Sequence, residues 1–241
     1  MLTTEEIKQF HQTGTIYREC KLMDRIPYVV KTYSVRDNIE FAEKINQLEV
    51  SDSQIYIQNV LAKNTLASAL VSFNNEKATP EMIDRFLPEK CNRILEGWRK
   101  LCNDLIEYLN TFPEQPLVDE EIEEYILTDT IIRTETFEYE GVPPLKVSFK
   151  VLSLGEIENL ALKLKEITPK DATKAYATAI SDFHFAAAII KSINNMPVDL
   201  ETINRSNAEF VNFILRRAAS VEEQLRKKLS NPKEIGESLK N

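Results

Sequence analysis

The amino-acid sequence predicts an α+β protein of two tandem copies of one unit, each a β-hairpin followed by about three helices, helix-rich overall and related by pseudo-twofold symmetry. Three observations carry that prediction. A capped helix start recurs at an offset of 119 residues, a pair of strand-like runs precedes each cap, and each half closes on a long amphipathic helix with its stripe in the same register. The expected organisation is a first repeat over 1–112, an acidic, proline-containing linker over 113–129, a second repeat over 130–230 and a tail over 231–241.

Each repeat opens on strands. "GTIYRECKL" and "PYVVKTY" flank the polar "MDR" at 23–25, and "IIRTETFEY" and "PLKVSFKVL" flank "EGVP" at 140–143. Thr, Val, Ile, Tyr and Phe dominate, and the alternation in "RTETFEY" and "KVSFKV" turns successive side chains to opposite faces. The first hairpin is the more apolar and aromatic, which makes it a candidate edge for extending a partner's sheet. The plainer expectation is that its apolar face covers the helices of its own repeat.

The caps follow. Ser34 stands three residues before Asp37, and Ser153 three before Glu156. A hydroxyl that accepts from a free helix N–H, with an acid near the positive end of the helix dipole, is a capping box. The offset of 119 also pairs Lys31 with Lys150, Tyr33 with Leu152, Phe41 with Leu160 and Ala42 with Ala161. Carried further, it pairs Leu66 with Phe185 and Leu70 with Ile189, and His184 with Thr65. After one inserted residue the offset becomes 120, pairing Arg85 with Arg205 and Asn92 with Asn212. Thr79 and Asp199 are expected to cap the step from the intervening turn into a helix.

The last helices give the strongest match. Cys91, Ile94, Trp98, Leu101, Leu105 and Leu109 step by threes and fours, and Val211, Ile214, Ala218, Val221, Leu225 and Leu229 take the same steps. Each stripe marks one buried face, and the two are expected to pack together. Trp98 and Ala218, at equivalent positions, form a bulky-to-small pair. Between the halves, "TFPEQPLVDEEIEEYILTDT" at 111–130 reads as a linker with a solvated helix start at "DEEIEE" and a short strand at "YIL". His11 lies in a first helix expected to stand outside the duplicated unit.

Composition narrows function. A formal net charge of −8 disfavours a free-standing nucleic-acid binder, which must set Lys and Arg against phosphates. Cys20, Cys91 and Cys102 form neither a C-x-x-C pair nor an even disulfide framework, so they are expected to be buried thiols in a reducing compartment. "MLTTEEIKQF" lacks the basic and apolar regions of a signal peptide, and "FHFAAAIIKSI" at 183–193 is too short to span a bilayer. No phosphate-binding glycine loop, nucleophile elbow or H-E-x-x-H occurs. His11 and His184 are the only histidines, each expected to be hydrogen-bonded structure rather than a catalyst. No catalytic, cofactor-binding or metal-binding residue is assigned and no cofactor is expected; the function expected is non-enzymatic.

The hairpins that run into "VKTYSVRDNIEFAEKI" and "FKVLSLGEIENLALKL" resemble tailed-bacteriophage tail and baseplate assembly proteins. In those, a strand ending in a Leu/Tyr-Ser/Thr-Val/Leu-x-acid step leads into an amphipathic helix. The resemblance covers about 30 residues of each copy. It implies a structural protein or tail assembly chaperone, located in the virion or in the host cytoplasm during assembly. Its implied partners are other tail or baseplate proteins, with self-association possible and neither direct nucleic-acid nor membrane contact. Two alternatives remain from the residues alone: an acidic adaptor or inhibitor that masks a basic protein surface, and an enzyme with carboxylates in a cleft between the repeats.

Overall fold

The computed structural model describes residues 1–48 and 53–230, so the tail expected at 231–241 lies outside the described residues. The first repeat runs α1 (Thr4–Thr13), β1 (Tyr17–Leu22), β2 (Ile26–Lys31), α2 (Val35–Asn46), α3 (Gln54–Ala69), β3 (Leu70–Phe73), β4 (Glu76–Lys77), α4 (Pro80–Asp84) and α5 (Pro88–Asn110). The second runs α6 (Asp119–Thr128), β5 (Ile131–Tyr139), β6 (Val142–Val151), α7 (Leu154–Ile167), α8 (Lys174–Ile189), β7 (Ile190–Ile193), β8 (Met196–Pro197), α9 (Leu200–Arg205) and α10 (Ala208–Leu229). The nine elements of each repeat follow in the same order. The strands form two antiparallel four-stranded sheets, ordered β1-β2-β3-β4 and β5-β6-β7-β8. The α+β duplication expected from the sequence is therefore present.

The repeated unit is larger than the sequence pattern indicated. The segment expected as a linker supplies α6, which is the counterpart of α1, and "YIL" is helical rather than a strand. Glu6 in α1 accepts from its cap backbone and from Arg18 Nε at 2.6 Å, and Glu121 in α6 does the same with Arg133 Nε at 2.7 Å. Thr13 and Thr128 each donate to the carbonyl four residues back, and the next residues, Gly14 and Asp129, both turn left-handed at φ 72° and 54°. Here the offset is 115, because the second hairpin is longer than the first. His11 thus belongs to the duplicated unit.

Two further differences concern the middle of the repeat. Ser53 and Thr173 cap α3 and α8, which start at 54 and 174, so the offset is already 120 there. Leu66 pairs with Ala186, Leu70 with Ile190, and His184 with Asn64 rather than Thr65. Each of α3 and α8 then ends in a second hairpin where a simple turn was expected. Asn74, Asn75, Asn194 and Asn195 all hold positive φ, the conformation a two-residue hairpin of this twist requires and that Asn tolerates. The apolar "LV" at 70–71 continues the helical pattern without a break, which hid the strand.

Both capping boxes form as expected: Ser34 and Ser153 accept from the N–H three residues on, while Asp37 and Glu156 accept from the cap backbone at 2.9 and 3.1 Å. Each cap is worth about 1 kcal/mol. The first hairpin covers its own repeat, with Tyr28 and Val30 buried and α5 packed on β1 and β2. Gly97 permits this approach, since a Cβ there would strike the Tyr28 hydroxyl. The buried residues of both repeats join in one continuous core, crossed by the chain of edge-on rings Phe10–Tyr108–Phe112–Phe137–Phe213.

Arg133 is the most committed side chain of the repeated clamp, donating to Glu121 and to the carbonyls of Gln115 and Pro116 while almost wholly buried. Removing it strands a carboxylate and two carbonyls. Arg133→Leu is expected to lower the unfolding free energy by about 3 kcal/mol with an unchanged urea slope, read by equilibrium denaturation.

Candidate functional site

The repeats meet through a one-directional junction built on the first capped helix start. Val35 N–H donates to the Ser206 carbonyl at 2.8 Å and Ala208 N–H donates to the Tyr33 carbonyl at 3.0 Å, forming an isolated antiparallel bridge between Ser34 and Asn207. Beside it, Arg36 Nη2 donates to both oxygens of Glu201 at 2.9 Å, and Asn46 accepts from the Thr173 backbone. The helix α2 lies on α8 and α9, while α5 and α10 pack together.

The equivalent surfaces at the outer ends do not meet. Among the described residues α7 makes no comparable packing on α3 or α4. Val35 is 6% exposed, yet Leu154 at its equivalent is 74% exposed. Ala42 is buried and Ala161 is exposed. Asn207 is buried at the bridge, whereas its equivalent Leu87 is 74% exposed. Among the described residues one copy of the junction is made, and its two outer halves are left exposed. Leu162 adds a further exposed apolar side chain on α7.

A cleft of about 440 Å³ lies beside the junction, lined by Phe10, His11, Leu145, Met196, Arg205 and Asn207 among others. Its one histidine is fully engaged. His11 Nδ1 donates to the Pro143 carbonyl and Nε2 accepts from the Tyr108 hydroxyl, both at 2.7 Å. Burial lowers its pKa, against the raising effect of the Pro143 bond, so the neutral ring is held in one tautomer. The cleft's two carboxylates are both shifted down, Asp199 by Thr202 and Glu201 by Arg205. A general acid requires the opposite shift. The deeply buried Glu135, whose pKa burial raises, faces Arg217 at 3.6 Å inside the core.

Other reactive groups are similarly occupied. Burial pushes the Cys102 thiol up to about 12 and raises Cys20 and Cys91 as well, which keeps all three as thiols. His184 sits against Phe183, its pKa lowered by burial and by Lys163. Among the described residues no group of three or more His, Cys, Asp or Glu is placed to hold a metal, and no helix is long and apolar enough to cross a membrane.

A second cavity, about 260 Å³, opens between α7, α8 and α10. Leu152, Asp182, Phe185 and Ala218 line it, and the exposed Ala219 places it at the surface. The equivalent space in the first repeat is filled: Tyr33 and Trp98 lie there with ring centroids 4.7 Å apart. The bulky-to-small exchange expected at 98 and 218 thus leaves a socket. Asp182 at this cavity and the bare leucines of the outer ends were not singled out from the sequence, because apolar residues at helix starts look alike whether covered or not.

Scans of the chain against protein-family models, characterised proteins and solved structures find no match.

The junction predicts unequal costs at equivalent positions. Val35→Ala is expected to lower stability by about 1–3 kcal/mol, whereas Leu154→Ala should change it by less than about 0.5 kcal/mol, both read from denaturation midpoints. The His11 pKa is depressed in the fold, so the unfolded chain binds its proton first as pH falls. Stability that is full above the ordinary value of 6.5 should decline below it, before carboxylate protonation begins. His184 is depressed in the same sense, so His11→Gln should reduce the decline without removing it, measured by urea denaturation between about pH 7 and pH 5.

Proposed function

We propose that this chain is a non-enzymatic structural or assembly protein of a bacteriophage tail or baseplate, working by packing against other subunits. It acts either as a virion component or as an assembly chaperone in the host cytoplasm. The observation that supports the packing role is the bare α7 face. Its equivalent α2 is buried by α8 and α9, whereas α7, packed chiefly on α8 among the described elements, keeps apolar residues such as Leu154 and Leu162 exposed. Exposed apolar surface of this kind marks protein contacts in soluble proteins. The phage setting rests on the two strand-to-helix steps, "VKTYSVRDNIEFAEKI" and "FKVLSLGEIENLALKL".

A non-catalytic reading also accounts for the polar groups. The cleft histidine spends both ring nitrogens on the fold, and the cleft acids are stabilised as anions rather than tuned as proton donors. An acidic adaptor would instead bind through exposed charge, and its affinity would fall steeply with salt. Docking on α7 is apolar and should tolerate salt.

Mass spectrometry of purified tails and of tail-assembly intermediates separates the two modes. A virion component is expected in both, and a chaperone in the intermediates alone. Absence from both contradicts the proposal.

A further inference from the structure

The two repeats differ most sharply where one has a large side chain and the other has a hole. In the first repeat Trp98 reaches from α5 over Tyr33, and the Tyr33 hydroxyl donates to the Thr65 carbonyl behind it. In the second repeat the same three positions hold Ala218, Leu152 and Phe185, all of which line the cavity between α7, α8 and α10. Its floor is apolar, with Ile157, Ile189 and Leu215 contributing.

The polar groups are complementary. The buried Trp98 Nε1 donor has no hydrogen-bond acceptor within the described residues, and the residue at the position equivalent to Asp182 is Ala62. The second repeat has the reverse: Asp182 lines the cavity, and no indole is there to donate to it. Burial raises the Asp182 pKa; Lys150 and Glu222 also line the cavity, but the Lys150 ammonium is paired with Glu156 and does not offset the shift. One repeat has the ring without the acceptor; the other has the acceptor without the ring.

We propose that the cavity is a socket for an indole side chain presented by a partner polypeptide, stacking between α8 and α10 with its N–H directed to the Asp182 carboxylate. The occupant follows from the fold itself, because the equivalent space in the first repeat is shaped around an indole. The half-buried Asp182 carboxylate, covered further by a seated ring, would add specificity that an apolar pocket lacks, since a ligand without the donor leaves the acceptor unpaired. An anchoring aromatic in a desolvated pocket is also the usual source of affinity at protein interfaces. That the indole comes from a protein rests on the packing role proposed above; the socket itself does not.

The test is an amide-detected NMR titration of the full chain with N-acetyltryptophanamide, followed at Asp182, Phe185, Ala218 and Ala219. Saturable shifts confined to these residues are expected. N-acetyl-leucinamide and the N1-methylindole analogue should bind at least about tenfold more weakly, the equivalent of one charge-assisted hydrogen bond. Ala218→Trp fills the socket from within and should abolish binding. Asp182→Asn keeps the shape and should reduce affinity about tenfold. Absence of shifts at saturating amide overturns the proposal, as does equal binding of the leucine or N-methyl compounds, or undiminished binding to Asp182→Asn. Binding of the free amide by a chain absent from tails and their intermediates would uphold the socket while removing the phage role.

Discussion

The bridge between Tyr33–Val35 and Ser206–Ala208 is the constraint on which the rest of the structure depends. It joins the start of one repeat's α2 to the start of the other's last helix, and so decides which surfaces of two similar units are spent inside the molecule. Pairing these backbone groups satisfies polar atoms that would otherwise be buried unmet. It also places Arg36 against Glu201 and carries α2 across α8 and α9. Because Ser206–Ala208 is used and its counterpart Phe86–Pro88 is not, the repeats end in unequal surroundings. Pro88 has no N–H to offer where Ala208 donates, which is one reason the outer end does not reproduce the inner contact.

The unequal surroundings explain the differences in side-chain size. Where the first repeat is closed by Tyr33 and Trp98, the second keeps Leu152 and Ala218 and an open cavity. The longer second hairpin reaches α1, where the Pro143 carbonyl meets His11, a contact the shorter first hairpin does not offer α6. Duplication supplied two copies of each surface, and each copy took a separate course. Burial of one α2-type face stabilises the fold; among the described residues the other is left as exposed apolar surface.

Much of this fold was legible in the sequence, and the reasons differ by element. The capping boxes at Ser34 and Ser153 formed as read, and so did most of the stripes on α5 and α10, local patterns set by helix geometry. Cys91 and Trp98, however, are half-buried, and Leu229 is exposed at its helix end. The α1–α6 equivalence was present as "TGTI" at 13–16 and "TDTI" at 128–131, and as "EEI" at 5–7 and 120–122. It escaped because its offset is 115, and hairpins of unequal length shift the register between elements. The Asn-Asn turns were visible too, at 74–75 and 194–195, but the uninterrupted apolar run before the first drew the helix past its end. The open α7 face and the socket were not legible. A leucine at a helix start reads the same whether covered or bare, and only tertiary packing distinguishes Val35 from Leu154.

Amide hydrogen exchange on the purified chain tests most directly whether one duplicated unit is used unequally, since local opening reports how much packing holds each segment. Residues 35–46 of α2 should exchange far more slowly than residues 154–167 of α7, despite their shared caps and pattern. Equal protection of the two helices would contradict the one-directional junction and, with it, the account of the bare face.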